Sequence, residues 1–227
     1  MRAHVFDMDG TLIPGTTAPL RLAAALGASE ALHELEEEFE GHRITTQEFA
    51  ARLHDLWGVV DSATVRSAFD DTPKLDGIAE VVDAIHAAGG VACVLTLSPD
   101  YFAEHFLPFG FDAVFASRFP RTVEAALDPN GILTAERKVT IAAEFCASVG
   151  TVLSSAVAYG DSYSDRFLFE EAGLAVSVNG DRRIMEVADL HVETVDLRDV
   201  YAQVDAALAR SAPRGKRAPD RVRAARA

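Results

Sequence analysis

The sequence predicts an α/β protein in which a parallel sheet with crossover helices is interrupted, after its first strand, by a small all-helical segment. Three observations carry this. A short apolar strand opens the chain at Arg2–Met8 and gives way to Asp9-Gly10-Thr11, where a carboxylate and a glycine mark a loop. Helical periodicity without a strand then fills the stretch from about Pro19 to Phe69. Beyond Pro73, strand and helix patterns alternate, the order of elements that builds a parallel sheet.

In the helical stretch the apolar residues recur at helical spacing: Leu20, Leu22 and Leu26; Leu32, Leu35 and Phe39; Phe49, Leu53 and Leu56. Thr45 and Glu48 are spaced as a capping box, so a helix is expected to start there. The later part reads as helix Gly77–Ala88, strand Val91–Leu97, helix Asp100–Phe109, a short strand near Ala113–Ala116, helix Ala135–Val149 and strand Ala156–Tyr159. Helix Asp165–Ala172, strand Leu174–Val178, strand His191–Val195 and helix Leu197–Arg210 complete it. The simplest assembly joins the first strand to the later sheet, with a core of 1–13 plus 76–210 and a helical cap at 14–75.

Charge and composition exclude several classes. A chain of 227 residues, 49% of them apolar and spread along its length, is that of an ordinary globular protein. The net charge of -14 repels nucleic-acid phosphates, so no nucleic-acid partner is expected. That charge is uneven. Arg214, Lys216, Arg217, Arg221, Arg223 and Arg226 stand against Asp220 alone in Ser211–Ala227, leaving about -19 on the remainder. This basic tail is expected to be a disordered, solvated extension, with a weak anionic contact as the alternative. No apolar run approaches the roughly 20 residues of a membrane span, and no leader is visible, so no membrane association and a cytoplasmic location are expected. Cys93 and Cys146 each lie on an apolar pattern and read as buried small hydrophobes.

Chemistry gathers where strands end. Asp7 and Asp9 sit two apart at the end of the first strand, so alternation can project both carboxylates to one side. Two acids sharing a site need a cation, or one takes a proton; the alternative is a pair of turn-forming aspartates. Ser98 follows an apolar strand, Lys138 lies on a helix, and Gly160-Asp161-Ser162-Tyr163-Ser164-Asp165 follows another strand.

Taken in order, these motifs resemble those of the haloacid dehalogenase superfamily in its phosphatase form, with Asp7-Met8-Asp9-Gly10-Thr11 as the first motif. The resemblance implies a Rossmann-like parallel core and a Mg²⁺-dependent phosphohydrolase that works through an aspartyl-phosphate. Asp7 resembles the nucleophile, and Asp9 the general acid and then base. Ser98 and Lys138 resemble the phosphate-binding hydroxyl and cation. Asp7, the backbone carbonyl of Asp9, and Asp161 resemble the metal ligands, with Asp165 orienting this shell or sharing in it. The superfamily's dehalogenases lack the second aspartate, so Asp9 points to phosphoryl transfer.

The helical insert matches the cap position of the branch that includes phosphoserine phosphatase, and Asn179-Gly180-Asp181-Arg182-Arg183 also resembles a segment of that branch. In the insert Arg43, Phe49 and Arg52 are candidates for substrate contact. The expected partner is a small phosphorylated metabolite: a hydroxy acid, amino acid, sugar or cyclitol. Two alternatives share the fold: a phosphotransferase or mutase using the same intermediate, and a noncatalytic metabolite-binding protein. Oligomeric state is not legible in the sequence.

Overall fold

The structure, a computed structural model, describes residues 1–41 and 43–211. Residues 212–227, most of the basic tail expected above, lie outside the described residues. The frame is a six-stranded, all-parallel sheet made of β1 (Ala3–Phe6), β2 (Val91–Pro99), β3 (Ala113–Ser117), β4 (Val157–Gly160), β5 (Leu174–Val178) and β6 (Leu190–Val192). Their spatial order is β3-β2-β1-β4-β5-β6. The first strand is therefore central, with the chain winding outward on either side of it.

Strand alternation divides the apolar residues between two faces. Phe6, Val94, Tyr159 and Val176 point to one face, and Val5, Cys93, Leu95, Ala158 and Ala175 to the other, which is the pattern of a sheet buried on both sides. On the first face lie α5 (Ile78–Ala87) and α10 (Leu197–Ser211), through Val82, Ile85, Val200 and Val204. On the second lie α7 (Ala135–Ser148) and α8 (Arg166–Glu171), through Ala142, Phe145, Cys146, Leu168 and Phe169. Phe6 stacks on Tyr159 with ring centres 4.0 Å apart, which fixes the floor of the sheet just below Asp7.

Four helices stand between β1 and α5: α1 (Ala18–Leu26), α2 (Ser29–Glu40), α3 (Thr46–Trp57) and α4 (Ser62–Asp70). Each start has a physical cause where the sequence offers one. Thr17 caps α1, Thr45 and Glu48 form the expected capping box of α3, and Asp61 caps α4 through Ala63 and Thr64. Leu22, Leu32, Leu53, Val65 and Phe69 belong to the same apolar cluster as Phe6 and Val94, so the helical segment shares its interior with one face of the sheet.

Several predicted boundaries shift. The first strand ends at Phe6 rather than Met8, so Asp7 and Asp9 both lie beyond it. The helix expected over Asp100–Phe109 is α6 (Asp100–Ala103) followed by a 3-10 segment, Glu104–Phe109, that contains Pro108. Proline lacks the N–H that an α-helix would use there. Among the described residues no helix is long and apolar enough to cross a membrane.

Candidate active site

The predicted residues meet at the carboxyl ends of the three central strands. Asp7 follows β1, Ser98 stands near the end of β2, and Asp161 follows β4. The chain leaves β1 for β2 on one side and reaches β4 on the other, which makes this the switch point where open parallel sheets bind ligands. The Asp7 N–H donates to Tyr159 O on β4 at 2.9 Å and so carries the strand pairing one residue beyond β1.

Lys138 reaches this point from the first turns of α7, with a side chain only 1% exposed. Its ammonium donates to Asp7 Oδ1 at 2.7 Å and to Asp165 Oδ1 at 2.8 Å. Carboxylate oxygens of Asp7, Asp161 and Asp165 all lie within 4.8 Å of one another. Three acids thus face one lysine. Burial first, and then the neighbouring Asp165, push the Asp7 carboxyl up to about 8 despite Lys138. Burial and the Asp7 charge push Asp161 up to about 9. For Lys138, burial works against the charge, but Asp165 and Asp7 outweigh it and hold the ammonium above its ordinary range.

An excess of buried carboxylate oxygen is what a hard divalent cation relieves, and oxygen donors with room for retained water suit Mg²⁺. The donor set therefore fits that ion. Gly10 makes the close approach possible: with φ 74° it turns left-handed, and a Cβ there would overlap the Asp161 carboxylate. Asp165 is itself held from behind, its Oδ2 accepting from the N–H groups of Asp161 (3.2 Å) and Ser162 (3.4 Å).

Asp9 is held apart from that cluster. Its Oδ2 accepts from Ser98 Oγ at 2.6 Å and Thr96 Oγ1 at 3.1 Å, and its Oδ1 from the Ala18 N–H at 2.6 Å. Burial raises its pKa, and these three donors oppose that. A strand irregularity explains how Thr96 and Ser98 both arrive. Leu95 pairs with Phe115 but Pro99 pairs with Ser117, so β2 carries two extra residues over that interval. Ser117 Oγ donates to the displaced Leu97 carbonyl at 2.6 Å, which satisfies the bulge.

The model of the haloacid dehalogenase-like hydrolase family matches residues 4–170, most of the chain and all of the residues just described. This chain belongs to the haloacid dehalogenase-like hydrolases. A phosphoserine phosphatase of Archaeoglobus fulgidus is 26% identical over 198 residues, covering 83% of this hydrolase but 55% of the relative, so the chain spans about half that protein's length. A phosphoserine phosphatase of Methanocaldococcus jannaschii is 24% identical over 203 residues, covering 88% of this chain and 96% of the relative. Among solved structures, one described as a phospho-aspartyl intermediate analogue of phosphoserine phosphatase superposes with a TM-score of 0.75 at 22% identity, covering 89% of this chain and 98% of that one. The fold is shared.

The three helical-segment candidates of this hydrolase have local partners. Arg52 forms a two-pronged pair with Glu38, at 2.6 and 3.0 Å. Arg43 donates to the Glu37 carbonyl at 3.0 Å near the end of α2, and Phe49 packs on Phe39 at 4.8 Å. All of these contacts lie within the helical segment, and none involves the carboxylate cluster. Sequence reasoning missed Thr96, which lies in the irregular stretch of β2. It also missed Thr11, whose hydroxyl donates to Asp161 Oδ1 at 3.4 Å, and Ser164, which lies 3.5 Å from Lys138 Nζ.

Proposed function

We propose that this hydrolase is a Mg²⁺-dependent phosphomonoester hydrolase that acts on a small phosphorylated metabolite through an aspartyl-phosphate on Asp7. The observation that supports it most is the division of labour among the acids. Asp7, Asp161 and Asp165 crowd around Lys138, while Asp9 stands apart on three donors. The first group is placed to share a cation, and the second acid is placed beside it but on partners of its own.

In the first half-reaction an Asp7 carboxylate oxygen attacks phosphorus in line, the bond to the ester oxygen breaks, and the proton of Asp9 passes to the departing alkoxide. In the second half-reaction Asp9 takes a proton from water as the water oxygen attacks the same phosphorus, which frees Asp7 and releases inorganic phosphate. Burial raises the Asp9 pKa, in the direction needed for a group that must hold a proton before giving it up. Lys138 holds a phosphoryl oxygen, and so does Ser98 once its hydroxyl proton turns from Asp9 to the phosphate, while Thr96 keeps its bond to Asp9. Mg²⁺ held by Asp7, Asp161 and the Asp9 carbonyl, with Asp165 beside them, would offset the negative charge of the phosphoryl group. In this reading 14–75 is a cap over a core of 1–13 plus 76–210, and the protein works in the cytoplasm.

The named relatives are phosphoserine phosphatases. Pro14-Gly15-Thr16-Thr17, where the chain enters the helical segment, carries no acid to pair with a substrate ammonium. The substrate class therefore extends from phosphoserine to phosphorylated hydroxy acids, sugars and cyclitols. The test is phosphate release from p-nitrophenyl phosphate and from a panel of such esters, with Mg²⁺ or EDTA. Release that needs the metal, at one phosphate per ester consumed, is expected. Absence of metal-dependent release from the whole panel would overturn the reading.

A further inference from the structure

Beyond β5 the chain turns left-handed at Asn179 (φ 52°), the one non-glycine residue with positive φ among the described residues. Asparagine tolerates this region better than most residues because its short amide can bond locally. Here the amide does so. As the backbone swings away from β6, Nδ2 donates to Thr194 O at 2.9 Å and Oδ1 accepts from Thr194 N at 2.8 Å, so a side chain supplies the rung that the backbone gives up.

The turn delivers the next two residues onto Asp161. Gly180 packs so closely that a Cβ would lie 3.0 Å from the Asp161 carbonyl oxygen and would overlap Ser177 Oγ. The Asp181 N–H then donates to that same carbonyl at 3.0 Å. Asp181 is itself fixed, because its carboxylate caps the short helix α9 (Arg182–Met185) through the N–H groups of Arg183 at 2.7 Å and Ile184 at 3.0 Å. On its other side the Asp161 N–H is held by Asp165. Asp161 is thus gripped at both backbone polar groups, which fixes the point from which its carboxylate reaches Gly10, Asp7 and Asp165.

We propose that Asn179 is a positioning residue for Asp161: its left-handed turn and its paired bonds to Thr194 set the loop 179–181 that aims the Asp161 carboxylate, and so set the affinity of the site for a divalent cation. This rests on the reading that the cluster of Asp7, Asp161 and Asp165 holds such a cation. Removal of groups that orient a metal ligand typically weakens affinity by about 10–100-fold.

The test is Mg²⁺ binding to the full chain by isothermal titration calorimetry, with thermal melting in EDTA alongside. Asn179→Ala, which loses the amide and disfavours the turn, is expected to weaken Mg²⁺ by a factor within about 10–100. Asn179→Gly keeps the turn but not the bonds to Thr194, and is expected to fall between it and wild type. It also serves if the alanine variant does not fold. A merely structural residue would lower the melting temperature in EDTA and leave the Mg²⁺ affinity of the folded protein unchanged. Wild-type affinity in either folded variant overturns the proposal while the cation reading stands. No Mg²⁺ binding by wild type overturns both.

Discussion

Lys138 and Asp7 form a buried ion pair, Nζ to Oδ1 at 2.7 Å, with side chains 1% and 6% exposed. The lysine is shared with Asp165. A buried pair of this kind does little for net stability as a whole, but the loss of one partner strands the other.

Replacement of Lys138 by methionine should therefore destabilise the metal-free protein by about 3–5 kcal/mol, the usual cost of uncompensated buried charge. Urea unfolding in EDTA measures it. An unchanged midpoint would mean that the acids do not depend on the lysine.

A divalent cation should act in the opposite direction. It binds only the folded cluster, so Mg²⁺ is expected to raise the melting temperature, with about 2.7 kcal/mol of stabilisation at a hundredfold excess over Kd. Asp161→Asn, which removes one charged oxygen donor of the cluster, should abolish most of that response. A thermal shift of equal size in the variant would place the ion elsewhere.

The bulge in β2 makes a prediction about Thr96. Its hydroxyl donates to Asp9 Oδ2 and accepts the Ser98 N–H at 3.1 Å, so Thr96→Val removes one bond and leaves a buried N–H without its partner. A drop in kcat of roughly 10-fold or more is expected, from a loss of about 1–3 kcal/mol in the group that orients Asp9 and Ser98. Steady-state kinetics on p-nitrophenyl phosphate tests it, and wild-type kcat would show that Ser98 and Ala18 suffice to hold Asp9.

A pH effect on stability should come from His4, away from the acid cluster. It is buried on β1 with Nδ1 2.8 Å from the Tyr159 hydroxyl, and burial, aided by Arg2, lowers its pKa from 6.5 to about 4. The folded state thus holds the neutral ring, whereas the unfolded chain takes up a proton below pH 6.5. Its contribution is complete above 6.5, declines as the pH falls toward 4, and is constant below that. The loss amounts to about 3 kcal/mol. Urea unfolding across this range should show that much less acid sensitivity in His4→Asn than in wild type, since the contributions of the carboxylates cancel in the difference. Equal acid sensitivity would contradict the shift.

Much of this architecture is legible in the residues themselves. The near-continuous apolar runs at Val91–Leu97 and Leu174–Val178 fit strands buried on both faces, and Thr45 with Glu48 fixes the start of α3 through local bonds. Such features are short-range. What the sequence hides is long-range or depends on register. The end of β1 at Phe6 frees Asp7 and Asp9 from strand alternation, so they face different partners: Lys138 for one, Ser98 and Thr96 for the other. Thr96 lies in a bulge whose displaced Leu97 carbonyl is satisfied from another strand, by Ser117. Asn179 stands out in the sequence as the start of Asn179-Gly180-Asp181-Arg182-Arg183, but its bonds to Thr194, fifteen residues away, do not. The local partners of Arg43 and Arg52 are equally hidden: Arg52 pairs with the Glu38 carboxylate, and Arg43 donates to the Glu37 backbone carbonyl.

The most direct measurement concerns the bond to Asp7. Enzyme quenched in acid during turnover of a phosphomonoester with Mg²⁺ can be digested and its peptides weighed. The expected result is one phosphoryl group, labile to base, on the peptide that contains Asp7, and loss of both label and turnover in Asp7→Asn. Undiminished metal-dependent phosphate release by Asp7→Asn, or a phosphoryl group trapped on another residue, would contradict the role assigned to this carboxylate.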